Sequence, residues 1–285
     1  MPLLGFGSVF VEDPETIIWG INKGLRNIDT ATDYGNEAVV GEAVRGCGLD
    51  RKDVFVTTKL WNSSQGYYKT MKAFEKSLKT MGLDYIDLYL IHWPCPNHDL
   101  YIDSWKAMEQ LYKEGLVRAI GVSNFYEELL ERIKKECEII PMVNQIEYHP
   151  YNQHVSLTKY CRENNIQLEA YMPIARAKVL KDPAICKIGE NNGKNGIQVT
   201  LRWLMQEGIC AIPRSANKDR IVSNADIYDF ELTEEDMQII RGLNEDLIMC
   251  EDPKTFHETK NLDEQIADKI ARGEAIPEGM LSSSK

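Results

Sequence analysis

Four proton-handling side chains stand at the ends of three successive apolar runs. Asp29 and Tyr34 close the stretch Asn27-Ile28-Asp29-Thr30-Ala31-Thr32-Asp33-Tyr34, Lys59 ends Val54-Phe55-Val56-Thr57-Thr58, and His92 ends Ile86-Asp87-Leu88-Tyr89-Leu90-Ile91. Alone, each has a plain explanation: an Asp caps a turn, a Tyr packs half-buried, a Lys is solvated, a His is satisfied in a core. Together they can move a proton. A phenol with a pKa of about 10 holds its proton too tightly to donate it efficiently at neutral pH. A cationic Lys59 beside Tyr34 is expected to favour the phenolate and lower that pKa, while Asp29 offsets the desolvation of the ammonium. His92 can hydrogen-bond the oxygen of a bound carbonyl, which leaves Tyr34 as the general acid.

Such residues meet only if the strands that carry them lie side by side. Eight β-rich runs recur, at Leu4-Gly7, Asn27-Ala31, Val54-Lys59, Ile86-His92, Arg118-Ser123, Met142-Glu147, Gln167-Tyr171 and Ile209-Pro213. Helical periodicity follows each, from Pro14 to Lys23, Glu37 to Arg45, Tyr67 to Met81, Ile102 to Glu114, Tyr126 to Glu136, His154 to Asn164, Gly196 to Glu207 and Lys218 to Asp226. Gly24, Gly46, Gly82, Gly115 and Gly208 are expected to stop helices in the left-handed conformation. Strict alternation implies a parallel sheet with right-handed crossovers, and eight units close into a barrel, an α/β fold of the (β/α)8 TIM type. Residues 1–285 suit one such domain, which needs about 250 residues. An open doubly wound sheet is the alternative, but the G-x-G-x-x-G loop it usually carries is missing. The tail, 244–285, mixes charge, Pro and Gly with one helical pattern around Leu262 to Ile270. It reads either as a surface helix with a frayed end or as a flap over the barrel mouth.

The net charge of −11 disfavours nucleic acid and acidic membranes, which need a basic surface. No apolar run approaches the ~20 residues of a membrane helix, and the start Met1-Pro2-Leu3-Leu4-Gly5 shows no secretion signal, so a cytoplasmic protein is expected. Seven cysteines without a C-x-x-C pair point to reduced thiols. An anionic ligand must then find a local cationic pocket. Arg214, Ser215, Arg220 and Asn224 share one loop and helix start, where guanidinium groups and a helix N-terminus can bind phosphate. A solvated basic patch is the plainer alternative. His92, Cys95, His98 and Asp99 have a spacing that could hold zinc, but Pro94 and Pro96 break any helix aligning them, and no metal is expected.

These residues resemble the Asp-Tyr-Lys-His tetrad of the aldo-keto reductase superfamily. The match runs through Ile28-Asp29-Thr30-Ala31-Thr32-Asp33-Tyr34-Gly35-Asn36-Glu37, Thr58-Lys59-Leu60-Trp61, Leu90-Ile91-His92-Trp93-Pro94, Gly121-Val122-Ser123-Asn124-Phe125, Asn144-Gln145-Ile146-Glu147-Tyr148-His149-Pro150 and Ile212-Pro213-Arg214-Ser215. These six blocks, in order, cover nearly the whole barrel. The chain resembles bacterial members of the 2,5-diketo-gluconate-reductase-like and aldehyde-reductase-like kind, which implies a monomer reducing small-molecule aldehydes or ketones. The resemblance places the 2′-phosphate of NADPH on Arg214 and Ser215, and its adenine near Arg220 and Asn224. It places the carboxamide on Ser123, Asn124 and Gln145, and the nicotinamide ring against Tyr171. NADPH (NADP+) is implied over NADH, the weaker alternative. Trp61, Trp93 and His92 fall at substrate-binding positions, with Val9 or Phe10 where many relatives put a third aromatic.

The chain also departs from the family pattern. Arg214 replaces the commoner Lys, Met172-Pro173-Ile174 stands where many relatives have a Ser for the pyrophosphate, and the hairpin that plugs the barrel bottom is largely absent. A second functional class stays open at this point, a cofactor-binding regulatory or structural protein on the same fold with little turnover.

Overall fold

The structure, a computed structural model, describes residues 1–260 and 262–272. Eight strands form one sheet in sequence order: β1 (Gly5–Gly7), β2 (Asn27–Asp29), β3 (Phe55–Leu60), β4 (Ile86–Ile91), β5 (Val117–Ser123), β6 (Val143–Glu147), β7 (Gln167–Tyr171) and β8 (Cys210–Ala211). All neighbours pair in parallel. Parallel bridges from Leu4 to Ala211 and from Gly7 to Arg214 join the last strand to the first, so the sheet closes as a (β/α)8 barrel. Both faces of such strands are covered, which is why β4 reads as an unbroken buried run.

The helices are α1 (Pro14–Asn22), α2 (Glu37–Gly46), α3 (Tyr67–Met81), α4 (Tyr101–Lys113), α5 (Glu127–Glu136), α6 (Val155–Glu163), α7 (Pro183–Asn192), α8 (Gly196–Gln206), α9 (Lys218–Ala225), α10 (Glu234–Arg241) and α11 (Leu262–Ala271). Their starts are written locally. Asp13 accepts from the N–H groups of Glu15 and Thr16 ahead of Pro14, and Asn195 and Gln198 form a capping box.

The structure corrects several expectations. The β7 to β8 connection holds two helices: α7 was missed although Asp182-Pro183 starts it and Gly193 (φ +66°) ends it. Helix α10, with its Thr233 to Asp236 capping box, was missed as well. Strand β8 spans two residues, not five; beyond Ala211 the chain meets β1 where the N–H of Gly7 donates to the carbonyl of Pro213 at 3.2 Å and at the Gly7 to Arg214 bridge. Gly82 stops α3 in the left-handed region (φ +62°), but Gly46 does not act this way, since it belongs to the last turn of α2. The helical pattern in the tail is α11, and position 261 and those past 272 lie outside the described residues.

Candidate active site

Parallel register brings the three strand ends together. Asp29 aligns with Thr57 two residues before Lys59, and Lys59 aligns with Leu90 two residues before His92, so all three point into one mouth. Tyr34 arrives on a short 3-10 turn, Thr32–Tyr34, held where Thr32 donates to the carbonyl of Lys59 at 3.0 Å.

At the centre lies Lys59, whose side chain is wholly buried. Its Nζ donates to Asp29 Oδ1 at 2.5 Å, to the carbonyl of Thr30 at 3.0 Å and to Tyr34 Oη at 3.2 Å. Three donors meet three acceptors, which is what a buried ammonium requires. Burial alone would lower the Lys59 pKa; the Asp29 carboxylate and the Tyr34 phenol more than offset it, so the group is held above its usual value. Tyr34 corrects an expectation. Burial pushes its pKa up to about 12, and Lys59 pulls against that rise without reversing it. Desolvation of a phenolate outweighs one neighbouring cation that is itself neutralised by Asp29.

His92 stands edge-on to Tyr34, with ring centres 5.8 Å apart, and to Trp61 at 5.2 Å, and stacks beside Trp93 at 6.2 Å. Burial first, then the charge of Lys59, holds its pKa well below the usual histidine value, so the ring is neutral at pH 7. Its Nδ1 is buried without a partner among the described residues.

A polar belt adjoins the tetrad. Ser123 Oγ donates to the carbonyl of Gln145 at 2.9 Å, Asn124 Nδ2 donates to the carbonyl of His92 at 3.0 Å, and Tyr171 Oη donates to Asn124 Oδ1 at 2.8 Å. Asn124 holds its place in a left-handed conformation (φ +67°). Gln145 Nε2 donates to Asp29 Oδ2 at 2.8 Å and to Glu169 Oε2 at 2.7 Å. Both amide hydrogens are thus committed, and only its oxygen is left to accept. Glu169, fully buried, also accepts from Asn27 Nδ2 at 2.9 Å. Glu169 was not among the expected site residues, and its one signal in the sequence is a lone acid between Leu168 and Ala170.

Arg214, Ser215, Arg220 and Asn224 lie after β8 and form no hydrogen bond or ion pair with the tetrad. Arg214 Nε donates to the carbonyl of Val9 at 3.0 Å and its guanidinium lies 5.6 Å from the centre of the Phe10 ring. Phe10 therefore belongs with Arg214 rather than with the two tryptophans. Neither Arg214 nor Arg220 is paired with an acid among the described residues, although the chain carries a net charge of −11. Ser215 and Asn224 are buried, Arg220 is exposed, and Asn217 caps α9 by accepting from the N–H of Arg220.

The third aromatic of the mouth comes from the tail. Phe256 packs on Trp93 with centres 4.3 Å apart and on Trp61 at 6.4 Å, while Trp61 Nε1 donates to the carbonyl of Thr259 at 2.9 Å. No local signal could place Phe256, because its neighbours are distant in sequence. Of the candidate zinc residues, Asp99 pairs with Arg132 and His98 sits edge-on to His257.

A barrel with a buried acid, lysine, phenol and imidazole at its C-terminal mouth defines a class of oxidoreductase. The model of the aldo/keto reductase family matches residues 20–245, and the chain belongs to that family. It is 46% identical to the 9,11-endoperoxide prostaglandin H2 reductase of Trypanosoma cruzi (strain CL Brener) over 263 residues, covering 90% of this chain and 92% of that one. It is 47% identical over 250 residues to the glyoxal reductase of Bacillus subtilis (strain 168), covering 86% and 90%. Among solved structures, a Gox0644 mutant in complex with NADPH superposes with a TM-score of 0.85 at 40% identity, covering 90% and 94%.

Proposed function

We propose that this chain reduces aldehydes or ketones to alcohols with NADPH, Tyr34 serving as general acid. The observation that supports this most is the buried Lys59 joined at once to Asp29 and Tyr34 beside a neutral His92.

NADPH supplies the hydride when bound. Ser123, Asn124 and Gln145 would hold its carboxamide, Tyr171 its ring, and Arg214, Ser215, Arg220 and Asn224 its 2′-phosphate and adenine. These residues fit the group. The one free atom of the Gln145 amide is an acceptor, as a carboxamide N–H needs, and two guanidinium groups without acid partners among the described residues suit a phosphate.

As negative charge grows on the carbonyl oxygen, Tyr34 gives up its proton to it. A pKa of about 12 keeps the phenol protonated at neutral pH yet well below an aliphatic alcohol, so the transfer runs toward product. The phenolate left behind stays 3.2 Å from the ammonium of Lys59, which Asp29 fixes in place. His92, neutral, donates a hydrogen bond to the same oxygen without competing as an acid. Trp61, Trp93 and Phe256 offer apolar walls that exclude water.

The same reading takes the protein to be a monomer in the cytoplasm, and the seven free thiols support that compartment. Size-exclusion chromatography tests the monomer.

The central test follows NADPH oxidation with small aldehydes. Tyr34→Phe is expected to lower kcat by about 10³-fold while NADPH still binds, read by quenching of its fluorescence. Wild-type turnover in that variant would sink the mechanism. Repeating the screen with NADH and with Arg214→Gln checks the preference, which Arg214→Gln should narrow by about tenfold.

A further inference from the structure

Strand β6 ends on Glu147, an acid that proton transfer leaves without a task. Its side chain is 4% exposed, and both of its oxygens serve the tail. The N–H of Met249 donates to Oε1 at 2.7 Å and the N–H of Cys250 to Oε2 at 2.9 Å. His149, itself fully buried, stands with Nε2 3.0 Å from Oε1 and braces the carboxylate from the side. Hydrogen bonds to an ionised acceptor are shorter and about twice as strong as neutral ones, and here two converge on adjacent peptides of a segment with no helix or strand of its own.

The grip lies beside the reacting centre. The Cys250 side chain lies beside Tyr171, Tyr171 donates to Asn124, and Asn124 donates to the carbonyl of His92. In the other direction the chain runs from Cys250 to Phe256, on the two tryptophans.

We propose that Glu147 is a positioning residue for carbonyl binding: it pins the Met249 to Cys250 peptide beside Tyr171 and so sets where Phe256 closes over Trp61 and Trp93. The proposal rests on the reading of Tyr171 as a cofactor contact and of the tryptophans as the carbonyl pocket. A carboxylate is needed because two N–H groups require two acceptors. Glutamine offers one oxygen and turns a donor against the other N–H, and alanine offers none.

The test uses full-length wild type, Glu147→Gln and Glu147→Ala. Each is pulsed with iodoacetamide, and modification of every cysteine is read by peptide mass, with buried Cys47 and Cys161 as standards within the same molecule. Cys250 is expected to react about tenfold faster in both variants while Cys47 and Cys161 keep their wild-type rates. KM for a small aldehyde should rise about tenfold, while kcat and the NADPH Kd change by less than about twofold. Three results overturn the proposal: Cys250 as protected as in wild type, all cysteines rising in step, or Cys250 released with KM unmoved. Absence of carbonyl turnover in the wild type would instead sink the functional reading, and the alkylation rates, which need no turnover, still decide whether Glu147 holds the tail.

Discussion

The two ends of the barrel turn the chain by different means. At the end where helices lead into strands, left-handed turns fall mostly on glycine, as at Gly82 before β4 and Gly208 before β8. The opposite end, where strands lead out, places non-glycine residues in that region: Phe10 after β1, Asn124 after β5, His154 after β6, and Met172 and Ala177 after β7. Each such residue costs about 1–3 kcal/mol, which the surrounding structure must offset. The buried charges divide likewise. At the lower end Asp87 meets Arg51 at 2.7 Å and Arg118 at 3.2 Å, both reaching solvent, whereas at the mouth Lys59 and Asp29 are sealed in. One end is built for stability, and the other holds strain and charge where chemistry can use them.

Removing the charge at each end should break this contrast most visibly. Lys59→Met leaves Asp29 without its cation and Tyr34 without its partner. It should cost about 10³-fold in kcat together with about 3–5 kcal/mol of stability, measured by turnover and urea denaturation. At the lower end, Asp87→Asn should cost about 2–4 kcal/mol in the same denaturation assay, discounted for the exposed Arg118, while kcat/KM stays at wild type.

A smaller effect separates the ends by pH. The His92 pKa is depressed in the folded chain, so below about pH 6.5 the unfolded chain binds more protons and stability falls as the solution is acidified. The slope for this one group is at most about 1.4 kcal/mol per pH unit, and His92→Gln should remove it from denaturation curves recorded between pH 7.5 and 5. His154, also depressed chiefly by burial, contributes in the same direction and remains in that variant. The smallest test exchanges the turn residues. Gly82→Ala (φ +62°, with Arg45 in the way of a new methyl) should lose about 1 kcal/mol, and Ala177→Gly (φ +66°) should gain up to about 1 kcal/mol. Equal and opposite shifts in Tm would confirm that strain is confined to the mouth.

Much of this was legible in the chain itself. Apolar runs with period-two or buried patterns gave eight strands in order, because a parallel barrel strand is covered on both faces and is mostly apolar, with polar residues such as Lys59, Gln145 and Glu169 where a buried partner meets them. Asp29, Tyr34, Lys59 and His92 were legible as a group because each follows such a run. Helix α7 breaks the one-strand, one-helix rhythm on which the others were placed, because two helices fill one connection, and α10 follows the eighth strand and its helix, beyond that rhythm altogether.

By itself the sequence determined the strand order, the residues at the strand ends and the family blocks, all of which depend on local composition. Tertiary structure alone decided that burial outweighs Lys59 at the Tyr34 phenol, that Glu169 shares Gln145 with Asp29, and that Phe256 completes the mouth. Desolvation and contacts across more than a hundred residues arise only when the barrel closes, so nothing local in the chain could carry them.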